Sequence, residues 1–425
     1  MALGGAVRLT IGHTHAVSER LSETAAGAPR AARAGKLRYG WTTGACAQAA
    51  AAAALEALLG GAFPDPVTIE LPRGRRPSFP LAERAQGEGW ARAGVIKDAG
   101  DDPDVTHGAL IVATVRWRER GAAPEGAGGG APRGGGRSAA AAAASGAKLG
   151  TVFRAGPGVG TVTLPGLPVA VGEPAINPSP RRMIRAELAR VAGRHGLACD
   201  SELGPPVVVE ISVPGGEELA KRTWNPRLGI VGGISILGTT GVVVPYSCSA
   251  WIASVRQAVD VATRQGIDHL AAATGDASAR AAARRHRLPE LAVIDMGDFV
   301  RPTLRHVSRR RPRRLTLAGG FAKFSKLAAG ALDLHSQRSQ VDLRFLAELA
   351  RERGARPGLV DAIERANSAL EVLERCLAEG VPVATAVAER ALAVARAEVD
   401  PRVELDVLVV DRAGAIVGEA VASSR

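Results

Sequence analysis

Hydrophobic and polar positions change rhythm as the chain proceeds. Between Arg38 and Gly60 a Thr-Thr-Gly turn leads into an Ala-rich run, which predicts a helix. Apolar runs at 67–71 and 109–117 read as strands, and residues 151–164 continue as strand and turn. Asn177-Pro178 opens a helix to about residue 194, with Asn as N-cap and Pro at the first helical position. The β-branched run 207–213 predicts a buried strand. Beyond Asn225, strand-like runs near 230–237, 269–273, 291–295 and 315–317 alternate with helix-like stretches starting near Cys248, Asp276 and Phe321. That alternation predicts a mostly parallel sheet. Several helices follow Gln340, and 404–410 with 415–417 form a closing pair of strands around an Asp-Arg-Ala-Gly turn.

Length turns this pattern into an architecture. A chain of 425 residues exceeds the roughly 250–300 at which a single core stops growing. The fold class expected is α/β: an α+β domain over 36–225, then a Rossmann-like α/β domain over 226–425. Residues 1–35 read as a flexible leader. Residues 119–148, nearly all Gly, Ala, Pro, Arg and Ser, read as a disordered insertion in the first domain, because they cannot bury enough apolar surface to order themselves.

Charge narrows the partners. A net charge of +12 and a pI of 10.4 suit an anionic ligand. Nucleic acid is set aside: no zinc-finger spacing, aromatic RNA-binding signature or basic zipper occurs, and aromatics are only 3%. Part of the excess sits in the run Arg309 to Arg314, which reads as a solvated loop. Cys46, Cys199, Cys248 and Cys376 lie too far apart for a paired motif. The N-terminal residues lack the apolar core of a signal peptide. The apolar stretch 229–245 is interrupted by Ser235, Thr239, Thr240 and five glycines, short of a membrane span. No membrane or nucleic-acid partner and a cytoplasmic location are therefore expected.

Four segments gather the residues of candidate chemistry. In Arg38-Tyr39-Gly40-Trp41-Thr42-Thr43-Gly44, a threonine can cap the helix while free amides at its start attract a carboxylate; the bland alternative is a capped, Ala-packed helix. Cys46 in its first turn is either a thiol of lowered pKa or a plain buried one. The run from Lys97 to His107 crowds Asp98, Asp101, Asp102 and Asp104 beside one Lys and one His. Such crowding suits general acid/base work or ligation of a hard cation, though not at the spacing of a calcium loop, or is only an acidic turn. Glycine-rich 228–241, with Thr274-Gly275-Asp276 and Gly319-Gly320-Phe321-Ala322-Lys323, offers small-residue loops at strand ends, where open sheets bind ligands. Gly238 in particular is expected to leave room for a ligand. The spacing is neither a dinucleotide fingerprint nor a P-loop. Lastly, Arg338 stands in a polar cluster with Asp333 and His335, able to bind carboxylates or merely to link helices.

In this order, the segments resemble the cobalt-precorrin-5B (C-1)-methyltransferase family, the CbiD proteins. The resemblance runs from about Leu37 to the C-terminus. It rests on the Arg38–Gly44 motif, Val95-Ile96-Lys97-Asp98-Ala99-Gly100-Asp101-Asp102-Pro103-Asp104, Gly172-Glu173-Pro174-Ala175-Ile176-Asn177-Pro178, Gly232-Gly233-Ile234-Ser235-Ile236-Leu237-Gly238-Thr239-Thr240-Gly241 and Lys326-Leu327-Ala328-Ala329-Gly330. It implies two α/β-type domains and methyl transfer from S-adenosylmethionine to C-1 of a cobalt-corrin precursor in cobalamin biosynthesis. A polycarboxylate macrocycle also accounts for the basic charge. The alternatives are a methyltransferase at another corrin position and a tetrapyrrole-binding protein without catalysis; binding of S-adenosylmethionine separates enzyme from carrier.

The residues themselves assign Asp101, Asp102 and His107 to proton transfer or orientation of the macrocycle. Gly232, Gly233, Gly238, Thr239, Thr240, Gly241, Thr274 and Gly275 are assigned to the cofactor, and Thr42, Thr43, Lys97 and Arg338 to the substrate. No protein-bound metal is expected, and a homo-oligomer is compatible with the sequence.

Overall fold

The computed structural model describes residues 37–117, 151–197 and 207–422. The expected leader, 1–35, and the insertion, 119–148, lie outside the described residues. The chain divides into a short unit, residues 1–38, and a long one, residues 39–425; the architecture below is that of the long unit.

Its first half is built on a five-stranded sheet in the order Glu83–Gly87, Trp90–Ile96, Leu110–Trp117, Val207–Ser212, Thr151–Ala155. All neighbours are antiparallel except the last pair. The helix Thr43–Gly60 lies against it and is buried at fourteen positions, nine of them alanine. Alanine is the best helix former and lets backbones approach closely, so the helix sits tight between the sheet and the helix Pro178–Arg194. Among the described residues it is also the helix long and apolar enough to cross a membrane; here it is a core helix. The expected strand at 67–71 is only Val67–Thr68, paired with Ser78–Phe79.

The second half carries a sheet in the order Val293–Asp295, His269–Ala273, Arg314–Gly320, Glu404–Val410, Ile416–Val421. The first four strands are parallel and the last is antiparallel. Both faces are covered, and side chains alternate between them. Leu270, Ala272, Leu315, Leu317, Val407 and Val409 enter the large core, whereas Ala271, Ala273, Ala318 and Leu408 form a small second layer with Ala282 of the helix Asp276–His286. In chain order the strands run 2-1-3-4-5. That is a doubly wound, mostly parallel α/β sheet in a strand order other than the dinucleotide-binding one.

Three helices begin where the sequence places them: Cys248–Arg264, Asp276–His286 and Phe321–Ala328. The apolar run 230–237 differs. It adds no strand to the parallel sheet but makes two-residue ladders with Gly158–Val159 and Thr161–Val162. Glycines 229, 232, 233, 238 and 241 all have positive φ, and a strand cannot run through such kinks. The two cores interleave along the chain: Val162, Val169 and Ala175 join the C-terminal core, Ile234 and Ile236 the N-terminal one. The basic run is a loop only over 311–313, where Arg311 and Arg313 are exposed. It ends the helix Val300–Arg310 and starts the next strand. Arg310 pairs with Asp260 at 2.6 Å, Arg311 with Asp400 at 2.9 Å and Arg314 with Asp406 at 2.8 Å.

Candidate active site

In a sheet of order 2-1-3-4-5 the topological switch lies between the first and third strands, and ligands bind beyond their carboxyl ends. Here those ends are Thr274-Gly275-Asp276 and Gly320-Phe321, and they open into a cavity of about 660 Å³. Leu343, Leu373, Asn367, Ser368, Asp411 and Arg412 complete its wall. Its floor includes two glycines: a Cβ built on Gly275 or on Gly320 would meet no atom of the described residues within 4 Å. Lys323 stands at the wall, its Nζ donating to the Thr274 carbonyl at 3.1 Å and lying 3.0 Å from Asp298 Oδ1. Burial, with Asp276 nearby, raises the Asp295 carboxyl at the end of the neighbouring strand, against a hydrogen bond from the Gly297 amide and the charge of Lys323.

Thr274 and Gly275 therefore line this cavity, but the other expected cofactor residues do not. Gly232, Gly233, Gly238, Thr239, Thr240 and Gly241 are absent from its wall. The reason is packing within the protein. A Cβ on Gly238 would fall 2.4 Å from the Thr42 side chain, one on Gly233 2.2 Å from the Gly158 carbonyl, and one on Gly241 2.5 Å from Leu71. These glycines admit their own chain, so the room expected at Gly238 is taken by Thr42. Thr240 turns back on Val242, while Thr239 and Gly232 are exposed.

The expected substrate residues Thr42, Thr43 and Lys97 likewise make contacts within the protein. Thr42 caps its helix, accepting from the Ala45 amide at 3.1 Å. The Thr43 hydroxyl accepts from the Leu237 amide at 2.9 Å, and the Gly44 amide donates to the Leu237 carbonyl at 3.0 Å. The amides a carboxylate would need are already bonded, which is the capped, Ala-packed alternative. Burial pushes the Cys46 thiol up to about 12, outweighing the nearby Lys97 charge, so it is an inert core thiol.

Lys97 is 1% exposed and reaches Asp104 Oδ2 at 2.7 Å. Burial would raise the Asp104 carboxyl, but Lys97 and the Thr106 hydrogen bonds outweigh it and hold it below the usual range. Lys97→Met is expected to cost about 2 kcal/mol in denaturant unfolding. That is less than for a fully buried pair, because Asp104 keeps 27% of its side chain exposed. With its folded pKa lowered, Asp104 adds stability above its unfolded pKa of about 3.9, lost as pH falls through the folded value. Asp104→Asn should therefore flatten the acid limb of the stability profile.

The rest of the acidic loop faces outward, with Asp101 and His107 exposed and Asp102 half-buried. His107 Nδ1 accepts from the Ala99 amide at 3.1 Å. Asp102 Oδ1 accepts from the Tyr246 amide at 2.8 Å, and Tyr246 holds φ 56°, a left-handed conformation a bulky residue rarely adopts. From there contacts lead toward the cavity. Arg338, paired with Asp333, lies against the Cys248 thiol. One turn further, the Trp251 indole packs over Gly297, 3.2 Å from where a Cβ would sit. Leu334 then bonds the Asp298 carbonyl at 3.0 Å, and Asp298 meets Lys323. Residues 246–251, 297–298 and 333–338 thus join the acidic loop to the cavity rim. Sequence reasoning missed Tyr246, Trp251 and Asp298; two exposed aromatics flanking a cysteine were the available signal.

Residues 30–245 match the CbiD family and residues 333–421 match the CbiD C-terminal domain. The chain belongs to the CbiD family. A cobalt-precorrin-5B C(1)-methyltransferase of Paramagnetospirillum magneticum is 57% identical over 385 residues, covering 90% of this chain and 98% of that one. One of Rhodospirillum rubrum is 55% identical over 384 residues, covering 90% and 97%. A 1.9 Å crystal structure of the cobalamin biosynthesis protein cbiD from Archaeoglobus fulgidus is 27% identical, covers 72% of this chain and 84% of that chain, and has a TM-score of 0.35. Within the CbiD matches fall the acidic loop, the 228–241 glycine segment and Arg338.

Proposed function

We infer that the protein transfers a methyl group to C-1 of cobalt-precorrin-5B, a step of cobalamin biosynthesis. The observation that carries this is likeness along nearly the whole chain to CbiD proteins of that activity, at 57% and 55% identity. The methyl donor proposed is S-adenosylmethionine, which supplies a methyl already activated on a sulfonium. The cavity fits it: about 660 Å³ lies in the range of small-molecule sites. Leu343 and Leu373 offer an apolar wall for the adenine, and Asp276, Asp411, Lys323 and Arg412 offer charges of both signs for a zwitterionic tail.

The protein's own work is then positioning. Gly275 and Gly320 let the donor approach the strand ends, and Lys323, held by the Thr274 carbonyl and Asp298, fixes one wall. Arg338, with 59% of its side chain exposed, is placed to take a carboxylate arm of the macrocycle. Asp102, with Asp101 and His107 beside it, accepts a ring proton or orients the ring at the rim. The net positive charge draws the polycarboxylate substrate in.

The test is direct. Cobalt-precorrin-5B incubated with the protein and methyl-labelled S-adenosylmethionine should gain one methyl, with the label at C-1 by NMR. Macrocycle bound but returned unmethylated would mean a carrier, and label at another carbon would mean a different methyltransferase. Arg338→Ala should raise KM for the corrin about tenfold at unchanged kcat, as expected for loss of one exposed charge-assisted contact of roughly 1.4 kcal/mol. An unchanged KM would remove Arg338 from the substrate site.

A further inference from the structure

At the opposite end of the C-terminal sheet from the cavity lies a partly buried polar cluster that methyl transfer does not use. His269 opens the strand His269–Ala273, Asp406 lies within Glu404–Val410, and His286 ends the helix Asp276–His286. Ala271, Thr316 and Asp406 are register neighbours across three parallel strands, and His269 precedes Ala271 by two. All four therefore point to the face that the helix covers. We propose that His269, His286 and Asp406 form a binding site for a divalent transition-metal ion of the zinc class, which pins the end of this helix to the sheet.

The geometry is that of co-ligands. One ligand atom from each of the three residues lies within 4.8 Å of the other two. His286 Nε2 is 3.2 Å from Asp406 Oδ2, with side chains 9% and 0% exposed. Despite that distance, the buried His286 Nε2 has no hydrogen-bond partner among the described residues. Two donor atoms close together yet not bonded to each other suit neighbouring ligands on a tetrahedral ion. Metal–ligand distances of about 2.0–2.1 Å place such atoms about 3.3 Å apart.

The surroundings orient the carboxylate as outer-shell partners do. Arg314 Nε donates to Asp406 Oδ1 at 2.8 Å, and the Thr316 hydroxyl reaches both oxygens at 3.0 and 2.9 Å. The same hydroxyl lies 2.9 Å from His269 Nε2. Carbonyls at the helix end favour a cation beside His286. Two imidazoles and one carboxylate select zinc, cobalt or nickel over magnesium or calcium.

The probes are Co²⁺ and Zn²⁺ themselves. Tag-free protein stripped with chelator and titrated with Co²⁺ should take up one equivalent, with the visible d–d band of a low-coordinate nitrogen/oxygen site that Zn²⁺ abolishes. His269→Gln and His286→Gln should each weaken binding at least tenfold with unchanged far-UV dichroism. Zinc-edge X-ray absorption on the unmodified chain should count two imidazoles, which decides the matter even if a variant fails to fold. Absence of stoichiometric uptake, affinity unchanged in both variants, or a ligand sphere without two imidazoles would overturn the site.

Discussion

Gly320→Val should keep its fold and lose at least a hundredfold in affinity for S-adenosylhomocysteine, about 2.7 kcal/mol. Gly320 has φ −65° and ψ 148°, ordinary extended backbone that valine adopts readily. A Cβ there meets no atom of the described residues within 4 Å, so the new side chain projects into the cavity that Gly320 lines. The loss would therefore report on the ligand. Gly238→Val makes the contrast. There a Cβ would stand 2.4 Å from Thr42 at φ +118°, and the clash with left-handed strain should cost about 3 kcal/mol or more of stability. Calorimetric titration and thermal melting of the two variants separate the sites. Full affinity in folded Gly320→Val would move the donor out of the cavity.

Asp102→Asn should slow single-turnover methylation roughly 10²–10⁴-fold, with donor affinity unchanged. The structure makes this substitution informative. Asp102 Oδ1 accepts the amide of Tyr246, whose left-handed conformation needs that support. An asparagine oxygen still accepts the bond, so the turn survives while the charge is lost. A purely structural role for Asp102 gives near-normal rates in Asp102→Asn but a loss of stability in Asp102→Ala. Asp101→Asn serves as companion, since normal turnover in both asparagine variants would end the assignment of proton transfer to this loop.

Much of the fold could be read residue by residue. The strand His269–Ala273 and the helices starting at Cys248, Asp276 and Phe321 stand where apolar periodicity and small-residue breaks put them, because those signals are local. The order of the strands was not legible, since nothing in a strand's own residues names its neighbour. Site chemistry divided along the same line. Thr274 and Gly275 follow a parallel strand and line the cavity, as the strand-end rule expects. Thr42, Thr43 and Lys97 were read as ligand-facing from polarity, yet their polar atoms are bonded within the protein.

By itself, then, the sequence determined the α/β class, the main helices of the second half and, through five motifs in one order, the family. Only the tertiary structure decided which polar groups are spent internally, which glycines face the cavity and which face their own chain, and that His269, His286 and Asp406 meet. The reason is physical. A glycine in the sequence declares that something approaches closely, and a buried lysine or histidine needs a partner. What approaches, and which partner is met, is set in part by residues as far as 194 positions away, as Thr43 and Leu237 are, brought together by sheet register and helix packing.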